Sequence, residues 1–278
     1  MPTICPPLGS NTGLAASHGE LRATAAQVLA MADAHAKAQA ALERFAPEQP
    51  CDPGAHIAPP PPGRPQRPAL VAPRELAQRP VGTREGRCAL IHALAHIELN
   101  AVNLALDIVA RFADMPEAFY RDWIGVARDE ARHFGLLDAH LRTLGHGYGD
   151  FPAHDGLWDM AERTRDDLLA RLALVPRTLE ARGLDAAPPI RDKLARSGDA
   201  AAAAILQVIL DDEVGHVAIG NRWYRWVCEQ RGLDPMATCA QLARRYRAPV
   251  LRGPFNLDAR RRAGFTEEEL ARLASTSS

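Results

Sequence analysis

No run of about 18 uninterrupted apolar residues occurs in this chain, so no transmembrane helix is indicated. Residues Met1 to Asn11 lack the basic start and apolar stretch of a secretory signal. Cysteine is scarce. The five (Cys5, Cys51, Cys88, Cys228 and Cys239) show no paired spacing, which argues against a disulfide framework and for reduced, mostly structural thiols. Cytoplasm is the compartment these absences favour. Net charge is nearly absent too. With 33 Lys and Arg against 34 Asp and Glu the balance is −1, which supplies no overall attraction to nucleic acid or membrane. Strand-like alternation is almost missing. What is there is a helix-rich chain of 278 residues, 47% hydrophobic, long enough for one sizeable core.

Within it a four-part motif occurs twice. Glu98 precedes Glu130 by 32 residues, and Glu130 opens a Glu-x-x-His with His133. Glu180 precedes Glu213 by 33 residues, and Glu213 opens a second one with His216. One Glu-x-x-His is weak evidence in any helical sequence. Two of them, each preceded by a Glu at matched distance, are the pattern by which a four-helix bundle builds a carboxylate-bridged two-metal centre.

Helix geometry supports the pattern. Residues three apart on a helix lie about 60° apart, so each Glu shares a face with its His. That face is apolar around Glu98 (Ile91, Leu94, Val102), Glu130 (Trp123, Val126, Phe134) and Glu213 (Leu206, Ile209, Val217). A carboxylate pointed into a core costs several kcal/mol unless a cation, a proton or a hydrogen-bonded partner meets it. The turns fall near the middle of each interval, at Met115-Pro116 and at Arg196 to Asp199, which brings the ligands to similar heights. Asp199 is the expected N-cap of the last long helix. Glu180 has the least regular surroundings, because Gly183 and Pro188-Pro189 interrupt its helix; Glu162 is the alternative, but it breaks the repeat.

The rest of the chain divides into an N-terminal helical arm (1–48, with a helix over 19–46), a Pro-rich connector (49–82) and a four-helix bundle with a C-terminal extension (83–278). Bundle helices are expected near 84–113, 117–144, 156–183 and 199–231. The Gly- and aromatic-rich loop 145–155 stands where ferritin-type bundles make their long crossover. Thr266 with Glu269 forms a capping box near the end.

Several segments carry a family resemblance: His96-Ile97-Glu98-Leu99, Asp129 to Phe134, Tyr148 to Trp158, Leu174 to Gly183 and Asp212 to His216. From about residue 70 onward the chain resembles the ferritin-like proteins catalogued as domain of unknown function 455. A more distant likeness is to the tRNA-modifying di-iron hydroxylases (MiaE), where a Glu-Ala-Arg run like Glu180-Ala181-Arg182 supplies the third-helix ligand. The resemblance implies an all-α, ferritin-like four-helix bundle and a di-iron site at Glu98, Glu130, His133, Glu180, Glu213 and His216. It implies no substrate.

Other polar residues have plainer readings. His96 lies about 160° from Glu98 around the helix, so His92 and His96 read as packing or solvent histidines. His140, His146 and His154 read as loop histidines, although His154 and Tyr148 could line an entrance. Asp129 and Asp212 each precede a ligand Glu; carboxylates so placed commonly orient an imidazole, often across to the facing helix, against plain surface exposure. The arginines of the tail (Arg244, Arg245, Arg247, Arg252, Arg260, Arg261, Arg262) read as a solvated, salt-bridged face ahead of a phosphate or RNA surface.

Four carboxylates and two imidazoles form an oxygen-rich set that suits two iron ions, with manganese or a mixed pair as alternatives. Such a pair points to an O2-dependent oxidase or hydroxylase of an unidentified organic substrate, tRNA or a small molecule, with an electron donor as a further partner. No separate protein acid or base is assigned. The alternatives are a ferroxidase or other iron-handling protein, and a non-catalytic, metal-bound helical binding module. Nucleic acid is the less favoured partner and no membrane is expected. Apolar positions on the first helix would permit a homodimer.

Overall fold

The computed structural model describes residues 19–77 and 79–275, so Cys5 and the Met1–Asn11 segment lie outside it. The described chain is all-α. The N-terminal arm is two helices, α1 (Leu21–Leu29) and α2 (Ala34–Glu43), rather than one over 19–46. The break follows from Asp33, whose extended backbone and side chain, accepting the Ala36 N–H at 2.7 Å, start a new helix. The apolar face of α1 (Leu21, Ala25, Val28, Leu29) is buried and packs with α3.

Two long helices follow the connector: α3 (Arg84–Arg111), capped by Thr83, and α4 (Glu117–Thr143), entered from Pro116. They form a hairpin that is the main contact of the fold, with α2 packed on α4. The third bundle helix is composite. After a separate α5 (Gly156–Arg163) the chain turns at Thr164 to Asp167, where Asp167 caps α6 (Leu168–Leu174) by accepting the Ala170 N–H at 3.0 Å. A π-turn (Val175–Glu180) and α7 (Ala181–Arg196) continue it. The expected helix over 156–183 is therefore displaced toward the C-terminus, and Pro188-Pro189 lie within α7. Pro188 has no N–H for the Leu184 carbonyl, and the side-chain amide of Asn256 bonds that carbonyl instead, at 3.2 Å. Asp199 then caps α8 (Ala200–Gln230), accepting the Ala202 N–H at 3.0 Å. The tail adds α9 (Pro235–Arg245), α10 (Leu257–Arg262) and α11 (Glu267–Ser275), the last opened by the Thr266–Glu269 capping box.

One hydrophobic cluster runs from Leu21 and Val28 through Ile91, Trp123 and Phe134 to Leu206 and Trp223, so arm and bundle share a core. A smaller cluster seats Phe265 and Leu270 of the tail against Leu184 and Val217. Among the described residues α3 is the helix long and apolar enough to cross a bilayer, but 83% of its apolar window is buried inside the molecule, as in a core helix.

Buried polar groups fasten the arm and connector. Arg22, fully buried, donates to the carbonyls of Val109 and Ala110 at the end of α3 and of Asp52, Pro53 and Ala55 in the connector. Lys37 Nζ donates to Gly63 O (2.7 Å) and Asn103 Oδ1 (2.6 Å). Burial, with the nearby Arg64 charge, pushes this amine down to about 7. Gly63 has to be glycine, since a Cβ there would stand 2.2 Å from Ala30 O.

Candidate metal centre

Four helical segments carry the six expected residues; His216 reaches the cluster through Glu130, and Glu180 lies where the Glu213 and Glu130 charges act on it. Glu98 comes from α3, Glu130 and His133 from α4, Glu180 from the last position of the π-turn, and Glu213 and His216 from α8. One oxygen or nitrogen from each of Glu98, Glu130, His133 and Glu213 lies within 4.8 Å of all the others, so this cluster could hold a metal ion. Glu130 is central: its Oε1 is 3.0 Å from His216 Nδ1, and its Oε2 is 3.4 Å from His133 Nδ1. Glu98 Oε2 is 3.1 Å from His133 Nδ1, and Glu213 Oε1 is 3.6 Å from His216 Nδ1.

Both imidazoles are held from outside by a crossed pair of aspartates. His133 Nε2 on α4 bonds Asp212 Oδ2 on α8 at 2.9 Å, and His216 Nε2 on α8 bonds Asp129 Oδ2 on α4 at 3.3 Å. Each ring nitrogen that faces the carboxylates is Nδ1. Arg132, which the motif reading passed over, bridges the two aspartates (2.7 Å to Asp212, 3.4 Å to Asp129). Its i+3 spacing from Asp129 was the available signal; the link to Asp212 is tertiary.

The π-turn explains Glu180. Pro176 has no N–H for the carbonyl four residues back and its ring would collide with that carbonyl, so the helix widens by one residue. Thr178 Oγ1 caps the widened turn by donating to Ala173 O at 2.7 Å. Gly220 of α8 lets Pro176 approach, since a Cβ there would lie 2.7 Å from Pro176 Cβ. Glu162 is on the surface, half exposed and paired with Arg165, and is not among the clustered donors. His92 and His96 turn away from it, stacking on Tyr148, with Tyr148 OH 2.8 Å from His96 Nδ1 and the Gly149 N–H donated to His92 Nε2 at 2.9 Å. Burial pushes both down to about 4, so they stay neutral. His140 is a helix residue paired with Asp199 rather than a loop histidine.

The chain matches the family model described as "Protein of unknown function (DUF455)" over residues 20–271. It belongs to this family. A relative from Haemophilus influenzae, described as an uncharacterized protein, is 50% identical over 213 residues, covering 74% of each chain. No solved structure matches this DUF455 protein significantly.

Does the DUF455 donor set fit a metal? Glu180 Oε2 is buried with no hydrogen-bond partner, and His216 Nδ1 has none in bonding geometry. Among the described residues no Lys or Arg bonds any of the four glutamates; Arg132 is spent on the aspartates. Without a cation the cluster is balanced by protons. Burial, reinforced by Glu130, raises Glu98 and Glu213 above the ordinary carboxylate range, and burial with the Glu213 and Glu130 charges raises Glu180 well above it. Burial works against ionisation of Glu130 too, but His216 and His133 outweigh it and hold this carboxylate low. Burial likewise opposes charging of the imidazoles, yet the bonds to Glu130 and Glu98 push His133 up to about 11, and Glu130 with Asp129 raise His216 well above its usual value. The donors fit a cation that would displace these protons.

Two expected results follow from this geometry. His133 and His216 hold protons in the folded state that the unfolded chain releases above about pH 6.5, so their stabilisation is complete below that pH and is withdrawn as pH rises toward about 11 for His133. The raised carboxyls act in the same direction, because the unfolded chain releases their protons first. Lys37, held low, acts oppositely between about 7 and 10.5. Subtracting metal-free from metal-loaded unfolding free energies removes the Lys37 contribution. The difference is expected to widen from pH 6.5 to 9, by up to about 1.4 kcal/mol per pH unit per proton involved; a flat difference in chemical denaturation would contradict the protonation pattern. Separately, Asp212→Asn is expected to weaken metal affinity roughly 10–100-fold in chelator competition. Asp129→Asn should cost less, because its imidazole bond is the longer of the two.

Proposed function

We propose that the chain is a ferritin-like, carboxylate-bridged two-iron protein that uses O2 to oxidise or hydroxylate an organic substrate in the cytoplasm. The observation that supports this most directly is the pair of imidazoles that turn Nδ1 to shared carboxylates while a crossed pair of aspartates fixes each Nε2. Glu98, Glu130, His133, Glu180, Glu213 and His216 would hold the metals. Their four carboxylates would bring a charge of about −4, close to balancing two divalent cations in a buried place. When bound, an iron pair supplies two-electron reduction of O2 and an oxidant able to attack a C–H bond.

The chain's own residues do the rest. Asp129 and Asp212 fix the tautomer of each ring by accepting its Nε2 proton, leaving Nδ1 as donor to the metal. Val126, Ala127, Leu210 and Val217, buried beside the ligands on α4 and α8, exclude water from the centre. The organic substrate and an electron donor are the partners this reading requires.

The test is elemental mass spectrometry of protein loaded anaerobically with Fe(II), followed by O2 uptake. About two irons per chain, with O2 consumed and a new near-ultraviolet band, is the expected result. Failure to retain iron, or two irons that never consume O2 with any reductant, would overturn it.

A further inference from the structure

A second concave site lies outside the metal cluster, and none of the six expected ligands lines it. It is a groove of about 490 Å³ bounded by Arg177 and Thr178 of the π-turn, by α9, by residues 247–251 and by α11. That volume is within the range of small-molecule sites, roughly 300–1,000 Å³.

Its charge is one-sided. Five arginines (177, 244, 247, 260 and 272) face a single carboxylate, Glu269. Glu269 is already bonded by Arg177 and Arg225, and Arg260 by Asp185 at 2.6 Å. Arg244, Arg247 and Arg272 are exposed and have no acidic partner among the described residues. In the wall behind them, Arg177 and Arg260 stack on the Phe265 ring, and each keeps one buried guanidinium nitrogen (Nε and Nη1) without an acceptor.

The remaining surface is apolar. Val250 is 82% exposed, with Leu251, Met236, Ala243 and Phe265 beside it. The only uncharged hydroxyl or amide side chain on the lining is Thr178, and its hydroxyl is given to Ala173 O. No hydroxyl or amide side chain is left free there to pair with a sugar or a base. A single-stranded polyanion would need a basic track with stacking faces along it, whereas these arginines flank an apolar floor.

We infer that this groove binds a small anionic amphiphile, its apolar body along Val250, Leu251 and Met236 and its one carboxylate or phosphate head held by Arg244, Arg247 and Arg272. Planar guanidinium forks suit either oxyanion. The inference does not rest on the metal reading, and its test needs no metal.

The experiment is isothermal titration calorimetry of the full chain with decanoate, decyl phosphate and uncharged decanol. At least one anion is expected to bind at one site per chain, about tenfold or more tighter than decanol. Tighter decanoate assigns a carboxylate head, and tighter decyl phosphate a phosphate. Shortening the better probe by two methylenes should weaken it on the order of tenfold. The double variant R244A/R272A, at exposed positions, should weaken the anion at least about tenfold and leave decanol unchanged. Three results would overturn the inference: no binding of either anion (RNA oligonucleotide binding lost in the double variant would then reassign the groove), decanol as tight as the anions, or a double variant that binds like the parent. The head-group and chain-length comparisons use the unaltered protein and decide the question even if the variant misfolds.

Discussion

Replacing Glu130 with Ala is expected to abolish two-metal binding while leaving most of the helicity. Among the four glutamates it makes the close approach to both imidazoles, at 3.0 Å from His216 Nδ1 and 3.4 Å from His133 Nδ1. Removing it takes away the group common to both halves of the cluster. Losing that shared ligand is expected to cost about 4 kcal/mol of metal binding, roughly a thousandfold in affinity. The fold should survive, because the imidazoles can neutralise once their carboxylate is gone and the neighbours Val126, Ala127 and Phe134 still pack. Metal content after Fe(II) loading, with circular dichroism alongside, checks this. Glu162→Gln is the control: half exposed and bonded to Arg165, it should leave metal content unchanged. Stoichiometric metal in Glu130→Ala would sink the assignment of the centre.

Asp107→Ala is expected to be the most damaging single change to stability away from the ligands. Asp107 is fully buried in α3 and accepts from Arg171 of α6 at 2.6 Å and from Arg111 one turn on, also at 2.6 Å. Arg171 is 1% exposed; its other bonds, to Thr164 Oγ1 and Ala161 O, carry no compensating charge. Burial already pulls the Arg171 guanidinium down, with Asp107 opposing. Deleting the carboxylate would strand a buried cation at a cost of about 3–5 kcal/mol, lowering the melting temperature by roughly 6–20 °C for a chain of this size. Arg111→Ala, which removes the more exposed partner and leaves Asp107 paired with Arg171, should cost less than Asp107→Ala. Equal losses in the two variants would mean that the Asp107–Arg171 pair does not hold α6 to α3.

The pairing of α3 with α4, the cap at Asp199 and the capping box at Thr266 were legible because each depends on residues close in sequence or on a repeated spacing. Five of the six expected ligands likewise follow from two identical i, i+3 pairs and one matched Glu. Glu180 was less legible. Its place depends on a π-turn set by Pro176 and on the contact of Pro176 with Gly220, distant in sequence, and no local period encodes that contact. The third helix was misjudged for a related reason. Pro188-Pro189 read as a break, but Asn256 supplies from the tail the hydrogen bond the prolines cannot. The crossed aspartates were legible as candidates, while Arg132 between them was not, since an Arg beside acidic residues looks the same on a solvated face.

Arg22 carries a further consequence, for synthesis rather than for the finished molecule. Its acceptor Val109 O lies 87 residues downstream, so the first helix reaches solvent long before the end of α3 exists. At ~5–20 residues per second that interval is roughly 4–17 s. Through it Leu21, Val28 and Leu29 are uncovered on a short helix that cannot close over anything yet. The order in which the ribosome delivers the arm and α3 thereby becomes part of how this core assembles.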